Sequence, residues 1–171
     1  IIIEGDEYLT SPLDDRPKFL HYKAHAAVIT GIAWDHMNVF PTFEFYVKQF
    51  QDFVASTEED AVVHYYKNDV ELTKLEKKFV SGKMQPYTGF EYKNLEVGTE
   101  ITLGKYQAIV PIFGAHNMQN LEAAYLLCQT MGISEKSFLN AITDFRGPSR
   151  RMESGSMLKA RVISWVRLTP P

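Results

Sequence analysis

ITGIAWDHMNVFP, residues 29–41, is the stretch on which the predicted fold depends. Val28, Ile29 and Ile32 belong to a predicted strand at residues 26–32, and their branched apolar side chains are typical of a strand covered on both faces. Asp35 and His36 follow it directly, and open α/β sheets hold their ligands at the carboxyl ends of the strands. We therefore predict a buried strand that carries Asp35 and His36 to the ligand-binding edge of a sheet.

The first residues of the sequence show a similar pattern, in which polar side chains follow an apolar run. Ile1–Ile3 predict a second buried strand, and Glu4, Asp6 and Glu7 follow at its end. Carboxylate oxygens are the ligands that Mg²⁺ prefers, and such a site suits a bound phosphate. A solvated acidic loop is the alternative interpretation, and histidine is an unusual ligand for magnesium.

The amino-acid composition and net charge of the chain limit the classes of protein to which it can belong. The 171 residues are 45% hydrophobic and 23% charged, which predicts one globular domain with a sizeable core. A net charge of -3 argues against binding to nucleic acid or to an anionic membrane surface. The single Cys128 can form neither an internal disulfide nor a cysteine metal site, so we expect a small buried apolar residue. With no signal peptide and no apolar run near 20 residues, we expect a cytoplasmic protein.

Helix and strand signals follow one another along the first half of the chain. Residues 9–22 are rich in Pro and Asp and predict a loop with a short helical turn. Thr42 is the expected N-cap of a helix with an aromatic stripe that packs on the sheet. A strand is predicted from Ala61, and Asn68-Asp69 should cap the short charged helix that follows.

The second half of the chain shows a different pattern of apolar and polar residues. Alternating residues between 80 and 111 predict antiparallel strands with a turn at Gly104. A long amphipathic helix is expected to begin at Asn117 and to end at Gly132, and Ser134 should cap the next helix. Gly147-Pro148 should stop that helix. The fold class is thus α/β, a largely parallel sheet flanked by helices with a small antiparallel insertion.

Two polar clusters in this half suggest ligand chemistry. Asn117 and Asn120 lie three residues apart in GAHNMQN, at a helix N-terminus that favours anions, and their amides could contact an adenine edge. Capping alone would explain Asn117, but not Asn120 or the neighbouring His116. Arg150-Arg151 could hold phosphate through bidentate hydrogen bonds, or could belong to a charged linker. The remaining histidines are predicted to be structural.

Four motifs, EGDEY, WDHMNVFP, GAHNMQN and FRGPSRRME, occur in this order and at these separations. Together they resemble the central domain of the Mur ligases, ATP-dependent enzymes that form amide bonds in peptidoglycan assembly. The resemblance covers residues 1–153 and leaves 154–171 as an unassigned tail with one strand-like run. EGDEY, followed by a PKF segment, is most similar to the branch of the family that joins a murein tripeptide to UDP-N-acetylmuramate during recycling.

The resemblance implies roles for particular residues. Glu4 and His36 match catalytic ligands of a magnesium ion, and Arg151 matches a catalytic arginine that reaches the ATP phosphates. His116, Asn117 and Asn120 match the stretch that contacts the nucleotide. The reaction so implied is attack of a substrate carboxylate on the ATP γ-phosphate, which gives an acyl phosphate that an amine converts to an amide.

The sequence also departs from the family pattern. A phosphate loop ends in Gly-Lys-Thr or Gly-Lys-Ser, whereas Gly82-Lys83 and Gly104-Lys105 precede Met and Tyr. Some relatives carry a carbamoylated lysine where this chain has Gln51. The nearby Lys48 is a candidate residue for contact with phosphate or for the surroundings of the metal. The domains that bind the UDP-sugar and deliver the amine are also missing, so we expect a fragment that is inactive by itself.

Two other interpretations stay open. One is a sister enzyme, either the branch that adds L-alanine to UDP-N-acetylmuramate or a folylpolyglutamate-type relative. The other is a non-catalytic binding module that keeps the fold without the phosphate loop. The sequence predicts neither the amine substrate nor the oligomeric state.

Overall fold

The computed structural model describes residues 1–5, 7–34 and 37–145 together with the backbone of 162–165. It contains two units, one of Ile1–Tyr87 with Lys159–Pro171 and one of Thr88–Leu158. The strands are β1 (Ile2–Gly5), β2 (Leu9–Ser11), β3 (Asp14–Pro17), β4 (Ala26–Ile29), β5 (Val62–Tyr66), β6 (Met84–Tyr87), β7 (Tyr92–Leu95), β8 (Gly98–Leu103), β9 (Tyr106–Val110) and β10 (Val162–Trp165). The helices are α1 (Phe43–Ser56), α2 (Val70–Glu76), α3 (Ala115–Thr130) and α4 (Glu135–Ile142), and Lys18–His21 form a 3₁₀ turn.

The first unit is built on a sheet with the strand order β1-β10-β4-β5-β6. β4 pairs in parallel with β5, and β5 with β6, whereas β10 is antiparallel to both β1 and β4. Since two antiparallel steps restore the original direction, β1 points the same way as β4, β5 and β6. The predicted α/β fold with a largely parallel sheet is confirmed.

The core of this unit lies between β4 and α1, as predicted. Every residue of β4 is fully buried. The strand ends at Ile29 and not at the predicted Ile32, although Ile32 is also buried. Thr42 caps α1, because its Oγ1 accepts a hydrogen bond from the Phe45 N–H at 3.1 Å. The buried rings of Phe50 and Phe53 lie 5.6 and 5.4 Å from the ring of Phe19 on the 3₁₀ turn. The aromatic residues of α1 thus share one buried cluster with Ala27 and Ile29 of β4.

β1 is less buried than predicted. Ile1 is 58% exposed and Ile2 is 63% exposed. Its first residues resemble a covered strand in composition, but β1 lies at the edge of the sheet and pairs along one side with β10. The expectation of a strand was correct, and the expectation of burial was wrong for Ile1 and Ile2.

Residues 9–22 contain more regular structure than the predicted loop. The helical turn is present at Lys18–His21, but β2 and β3 form an antiparallel hairpin before it. The Arg16 guanidinium donates to both oxygens of Asp14 at 2.9 and 2.7 Å and holds the pKa of that carboxyl far below its ordinary value. Charged strands of this kind lack the apolar alternation on which the prediction relied.

β6 was also missed by the sequence analysis. It was included in the region of antiparallel strands, but it pairs in parallel with β5 at the far edge of the main sheet. The segment Met-Gln-Pro-Tyr has no β-branched residue, and Pro86 cannot donate a ladder hydrogen bond. An edge position tolerates this proline.

The second unit combines the predicted meander with α3 and α4. β7, β8 and β9 form an antiparallel sheet, and Gly104 turns between β8 and β9 in a left-handed conformation at φ 57°. A second core joins the sheet to the helices through Ile101, Val110, Met118, Leu121, Tyr125, Phe138 and Leu139. Ser134 caps α4 as predicted, since its Oγ accepts from the Ser137 N–H.

The limits of α3 differ from the prediction at one end and agree at the other. The helix begins at Ala115 with Gly114 as N-cap, so Asn117 lies in the first turn and is not the cap. Buried residues such as Met118, Gln119 and Ala123 lie on several sides of α3, so it is not the amphipathic helix expected. At the C-terminus, the N–H groups of 132 and 133 donate to the carbonyls of 129 and 128, with Gly132 at φ 80° as predicted.

Two further predictions concern single side chains. Cys128 is half-buried and packs against the second core, where burial raises the pKa of its thiol. His64 lies buried on β5, in keeping with a structural role. None of the helices within the described parts of the chain is long and apolar enough to cross a membrane.

Candidate functional site

The loop after β4 is tied to the start of α2 by one carboxylate. Asp69 Oδ2 accepts a hydrogen bond from the Ile32 N–H at 2.7 Å, and Oδ1 caps α2 by accepting from the Leu72 N–H at 2.9 Å. A Cβ atom on Gly31 would lie 3.4 Å from Oδ2, an ordinary contact distance. The prediction named Asp69 as a cap, and the second hydrogen bond, to a residue 37 positions earlier, had no signal in the sequence.

A second contact joins the two sides of the segment that contains Asp35 and His36. The Trp34 indole N–H donates to the carbonyl oxygen of Phe40 at 3.1 Å, and Phe40 is buried. The Trp34 ring also lies 6.2 Å from the ring of Phe43 at the start of α1. Asp35 and His36 themselves lie outside the described residues, so what the structure establishes is that their two flanks are anchored.

Glu4 lies on β1, in register with Ile163 of β10, which is in register with Val28 of β4. Its side chain is exposed, and the half-buried Glu7 follows two residues after the end of the strand. Asp6 is not described. Across residues 1–5, 7–34 and 37–145, no three His, Cys, Asp or Glu side chains lie close enough to hold a metal ion. The described carboxylates therefore suit magnesium in chemistry but do not complete a site without further ligands.

The N-terminus of α3 presents polar groups to solvent. Gly114 adopts φ 92° as N-cap, and no atom lies within 4 Å of the position its Cβ would take. The first N–H groups of a helix have no acceptor within the helix, and the helix dipole favours an anion there. This end of the helix is therefore open to a negatively charged ligand.

The three α3 residues singled out by the sequence have different surroundings. His116, Asn117 and Asn120 are all exposed. The Asn117 amide donates to the carbonyl oxygen of Phe113 at 2.7 Å, and this hydrogen bond stabilises the turn that precedes α3. His116 and Asn120 are four residues apart, which puts them on the same face of α3. The structure brings these two together and gives Asn117 a local structural contact.

Glu122 is a contact on α3 that the sequence analysis missed. Its carboxylate accepts hydrogen bonds from the N–H groups of Thr88 at 3.3 Å and Gly89 at 2.5 Å. The Phe90 N–H donates to the Met118 carbonyl at 3.4 Å, which lays residues 88–90 along the helix. No local pattern links Glu122 to N–H groups more than thirty residues earlier, so only the folded chain shows it.

The lysines considered as phosphate or metal-site residues, and Gln51, all contact other residues of the chain. Lys83 donates to the Glu58 carbonyl oxygen, and burial lowers its pKa. Lys105 lies over the ring of Tyr106, with Nζ 5.4 Å from the ring centre. Lys48 donates to both oxygens of Asp52 at 2.8 Å, and Gln51 accepts from Lys78. Gly82-Lys83 lies just before β6 and Gly104-Lys105 lies in the turn after β8, so neither forms a phosphate loop.

Several predicted residues fall outside the described part of the chain. These are Asp6, Asp35, His36, Gly147, Pro148, Arg150 and Arg151. The predicted end of α4 at Gly147-Pro148 was wrong, because the helix ends at Ile142. The predicted roles of the other residues stay predictions. Among the described candidates, Glu4 belongs to the first unit, and His116, Asn117 and Asn120 belong to the second.

Comparison with known sequences identifies similar proteins. The Mur ligase middle domain family matches residues 11–128. The UDP-N-acetylmuramate--L-alanyl-gamma-D-glutamyl-meso-2,6-diaminoheptandioate ligase of Escherichia coli is 25% identical over 165 residues, covering 89% of this chain and 35% of that protein. The UDP-N-acetylmuramate--L-alanine ligase of Lactococcus lactis subsp. lactis is 26% identical, covering 87% of this chain and 36% of that protein. The chain thus spans about a third of the length of these relatives.

Comparison with solved structures supports the same fold. The crystal structure of UDP-N-acetylmuramate:L-alanyl-gamma-D-glutamyl-meso-diaminopimelate ligase from Neisseria meningitides aligns with a TM-score of 0.72 at 21% identity, covering 85% of this chain and 48% of that one. The UDP-N-acetylmuramate-alanine ligase of Thermotoga maritima aligns with a TM-score of 0.60 at 20% identity, covering 77% of this chain and 31% of that one. At these identities the likeness concerns the fold.

Proposed function

The chain belongs to the Mur ligase family, whose middle domain it matches, and we propose that it is the ATP-binding part of a ligase of peptidoglycan recycling. The amide bond would join a murein tripeptide to UDP-N-acetylmuramate in the cytoplasm. The observation that carries the proposal is the family match over residues 11–128, on a chain whose fold aligns with a ligase of that substrate class.

The nucleotide is assigned to the exposed start of α3. His116 and Asn120 share a helix face there, and the uncapped N–H groups beside Gly114 favour an anion. In this proposal Asn120 contacts the adenine edge through its amide, and Asn117 keeps the entry turn in place through Phe113. The family resemblance supports the same three residues as nucleotide contacts.

Magnesium is assigned to Glu4 and His36, with Arg151 on the phosphates. Glu4 supplies a carboxylate oxygen near the end of β1. The role of His36 rests on the family resemblance. The ion would neutralise charge on the transferred phosphoryl group. Within the chain, the roles of these residues are to hold the ion and to orient phosphate oxygens.

The chain by itself should not turn over ATP. A Mur ligase needs a Gly-Lys-Thr or Gly-Lys-Ser loop to hold the β- and γ-phosphates, and the sequence has none. We therefore expect no phosphate release from the purified chain above a sample without protein. Measurable turnover would contradict this expectation.

The L-alanine branch of the family is the second candidate. An L-alanine ligase of Protochlamydia amoebophila is 28% identical over 163 residues, against 25% over 165 residues for the recycling ligase of Escherichia coli. A longer protein that carries this segment would separate the two, because the amine or peptide that stimulates phosphate release differs between them. Reading the coding sequence on both sides of the segment would show whether a Gly-Lys-Thr or Gly-Lys-Ser loop accompanies it.

Binding of Mg²⁺ and ATP to the chain tests the nucleotide assignment directly. Backbone amide signals followed by NMR during titration should shift at the start of α3, and Asn120→Ala should weaken the apparent affinity at least fivefold. Asn140→Ala, an exposed asparagine on α4, is the matched control and should bind as the parent does. Shifts confined to other elements, or equal affinities for the two variants, would overturn the assignment.

A further inference from the structure

A tryptophan follows the carboxyl end of β4 and is open to solvent. Trp34 lies in the segment after Ile29, the last residue of the strand, and 40% of it is exposed. Tryptophan is highly buried on average in folded proteins. Open α/β sheets bind their ligands beyond the carboxyl ends of their strands. Trp34 therefore offers apolar surface on the side of the sheet where a ligand is expected.

The orientation of the Trp34 ring is fixed by contacts within the first unit. Its indole N–H donates to the carbonyl oxygen of Phe40 at 3.1 Å, and its ring centre lies 6.2 Å from that of Phe43. This hydrogen bond satisfies the only polar group of the side chain. What the side chain can still offer to a ligand is its π-system, whose negative face attracts polarised C–H groups.

The backbone on which Trp34 is mounted is held as well. The Ile32 N–H donates to Asp69 Oδ2 at 2.7 Å, and Ile32 is buried. Phe40, which accepts the indole hydrogen bond, is also buried. A side chain that is already fixed loses little conformational freedom when a ligand packs against it. The Trp34 ring is thus preorganised for stacking.

The proposed reaction brings a sugar ring to this edge of the sheet. In UDP-N-acetylmuramate, the carboxylate that reacts belongs to a lactyl group, which an ether oxygen attaches directly to the pyranose ring. A carboxylate that reacts at the carboxyl ends of β1 and β4 therefore carries the pyranose ring to the same place. The adenine ring of ATP, in contrast, is separated from the γ-phosphate by the ribose and the phosphate chain. Of the two rings, the sugar is the one that suits Trp34.

We propose that Trp34 binds the pyranose ring of the muramic acid substrate by stacking and so orients its lactyl carboxylate. The inference rests on the proposed function, because another reaction would bring another ligand to this edge. A pyranose ring presents C–H groups on its faces, and these pack on the negative face of an indole. Trp34 is thus a substrate-binding residue, and no covalent step passes through it.

The fluorescence of Trp34 tests the proposal, because the chain has two tryptophans, Trp34 and Trp165. Trp165→Phe leaves Trp34 as the only indole. We expect N-acetylmuramic acid, added with Mg²⁺ at millimolar concentration, to change the emission of this variant in a saturable way. D-Lactate, which lacks the ring, and adenosine, which carries the other ring, should change it at least fivefold less. An equal or larger response to either control would overturn the proposal.

Substitution of Trp34 separates stacking from a structural role. Trp34→Phe keeps an aromatic ring and loses the N–H that donates to Phe40, whereas Trp34→Leu loses both. Saturation-transfer NMR, with the aromatic protons of the protein irradiated, should show transfer to the ring protons of N-acetylmuramic acid in the parent and in Trp34→Phe. Transfer should be at least fivefold weaker in Trp34→Leu. Loss of transfer in both variants would show that the N–H alone matters, and would contradict stacking.

Tyr92→Leu is the matched control, since Tyr92 is 41% exposed on β7, in the second unit. This variant should show the same transfer as the parent, and an equal loss in Tyr92→Leu and Trp34→Leu would overturn the proposal. The fluorescence of Trp165→Phe needs no change at Trp34, so it decides the question if Trp34→Leu does not fold.

Binding of Mg²⁺ and ATP, followed in the same samples by the amide signals at the start of α3, separates this inference from the proposed function. Nucleotide binding without transfer to the sugar would refute the role of Trp34 and leave the nucleotide assignment in place. Transfer to the sugar without nucleotide binding would support Trp34 and contradict the nucleotide assignment.

Discussion

The Asp69 carboxylate accepts hydrogen bonds from the Ile32 N–H at 2.7 Å and from the Leu72 N–H at 2.9 Å, so one side chain joins the loop after β4 to the first turn of α2. Substitution of Asp69 can separate the contributions of these two hydrogen bonds to stability. The shorter hydroxyl of serine can still cap a helix but cannot reach both partners.

Asp69→Ser should therefore lose the Ile32 contact and keep the cap, at a cost of about 1–2 kcal/mol in the free energy of unfolding. Asp69→Ala should lose both and cost about 1 kcal/mol more. Urea denaturation measures each value. Asp52→Ala, which removes an exposed pair with Lys48, is the control and should change stability by about 0.5 kcal/mol or less. If serine and alanine are equivalent, Asp69 does not act as a cap.

Glu122→Ala should destabilise the second unit. The variant leaves the N–H groups of Thr88 and Gly89 without their acceptor, which we expect to cost about 1–3 kcal/mol. Hydrogen exchange at these two amides should accelerate at the same time. Glu96→Ala, at an exposed glutamate between β7 and β8, should leave both readouts unchanged. Unaltered exchange at 88 and 89 in Glu122→Ala would count against the contact.

Gly98→Ala should be among the more damaging small substitutions. A Cβ at this position would lie 2.5 Å from the Val110 carbonyl oxygen, and the backbone has φ 155°. Because a backbone atom must move, we expect a loss of more than about 2 kcal/mol, measured by thermal or urea unfolding. Gly132→Ala, at φ 80° with nothing within 4 Å, isolates the conformational cost of about 1 kcal/mol. Similar losses of stability for the two variants would mean that the surrounding backbone moves enough to remove the close contact between the new Cβ and the Val110 carbonyl oxygen.

His64 should make the protein less stable in acid. Burial lowers the pKa of its imidazole below the ordinary value of 6.5, so the folded state disfavours the charged form. The unfolded chain takes up the proton first, and stability therefore falls as the pH drops below about 6.5, until the folded pKa is reached. Its register partners, Val28 and Gln85, do not titrate.

The slope attributable to His64 is at most about 1.4 kcal/mol per pH unit. Comparison of the parent with His64→Gln between pH 8 and pH 5 measures it. The difference between the two proteins should shrink as the pH falls, because the variant lacks the titrating group. A constant difference across this range would show that His64 binds protons equally in the folded and unfolded states, which would contradict the prediction.

Local signals account for the parts of the fold that were predicted correctly. Thr42, Ser134 and Gly132 act within a few residues of themselves, so the caps and the helix end could be read from the sequence. β6 was missed because its pairing with β5 depends on partners 21 residues earlier, such as Val63 for Met84, and not on its own composition. Burial of Ile1 and Ile2 was overestimated because apolar composition does not show whether a strand lies at an edge.

The candidate site shows the same difference between local signals, which the sequence contains, and contacts between distant residues, which it does not. The exposure of His116 and Asn120 on one face of α3 follows from helical spacing, which the sequence contains. Asn117 was ambiguous, since capping and ligand contact both fitted, and the structure adds its hydrogen bond to Phe113. The contacts of Asp69 with Ile32 and of Glu122 with residues 88 and 89 span more than thirty positions, a distance at which sequence spacing carries no information.

The pairing of β1 with β10 also bears on how the chain folds. It joins residues 2–5 to residues 162–165, whereas β4, β5 and β6 come from residues 26–87. Contacts between distant parts of a chain form more slowly than local ones, because more chain must be ordered before they are made. The ladder from β4 to β6 should therefore form first, and β1, with Glu4 on it, should be the last strand to gain protection during refolding.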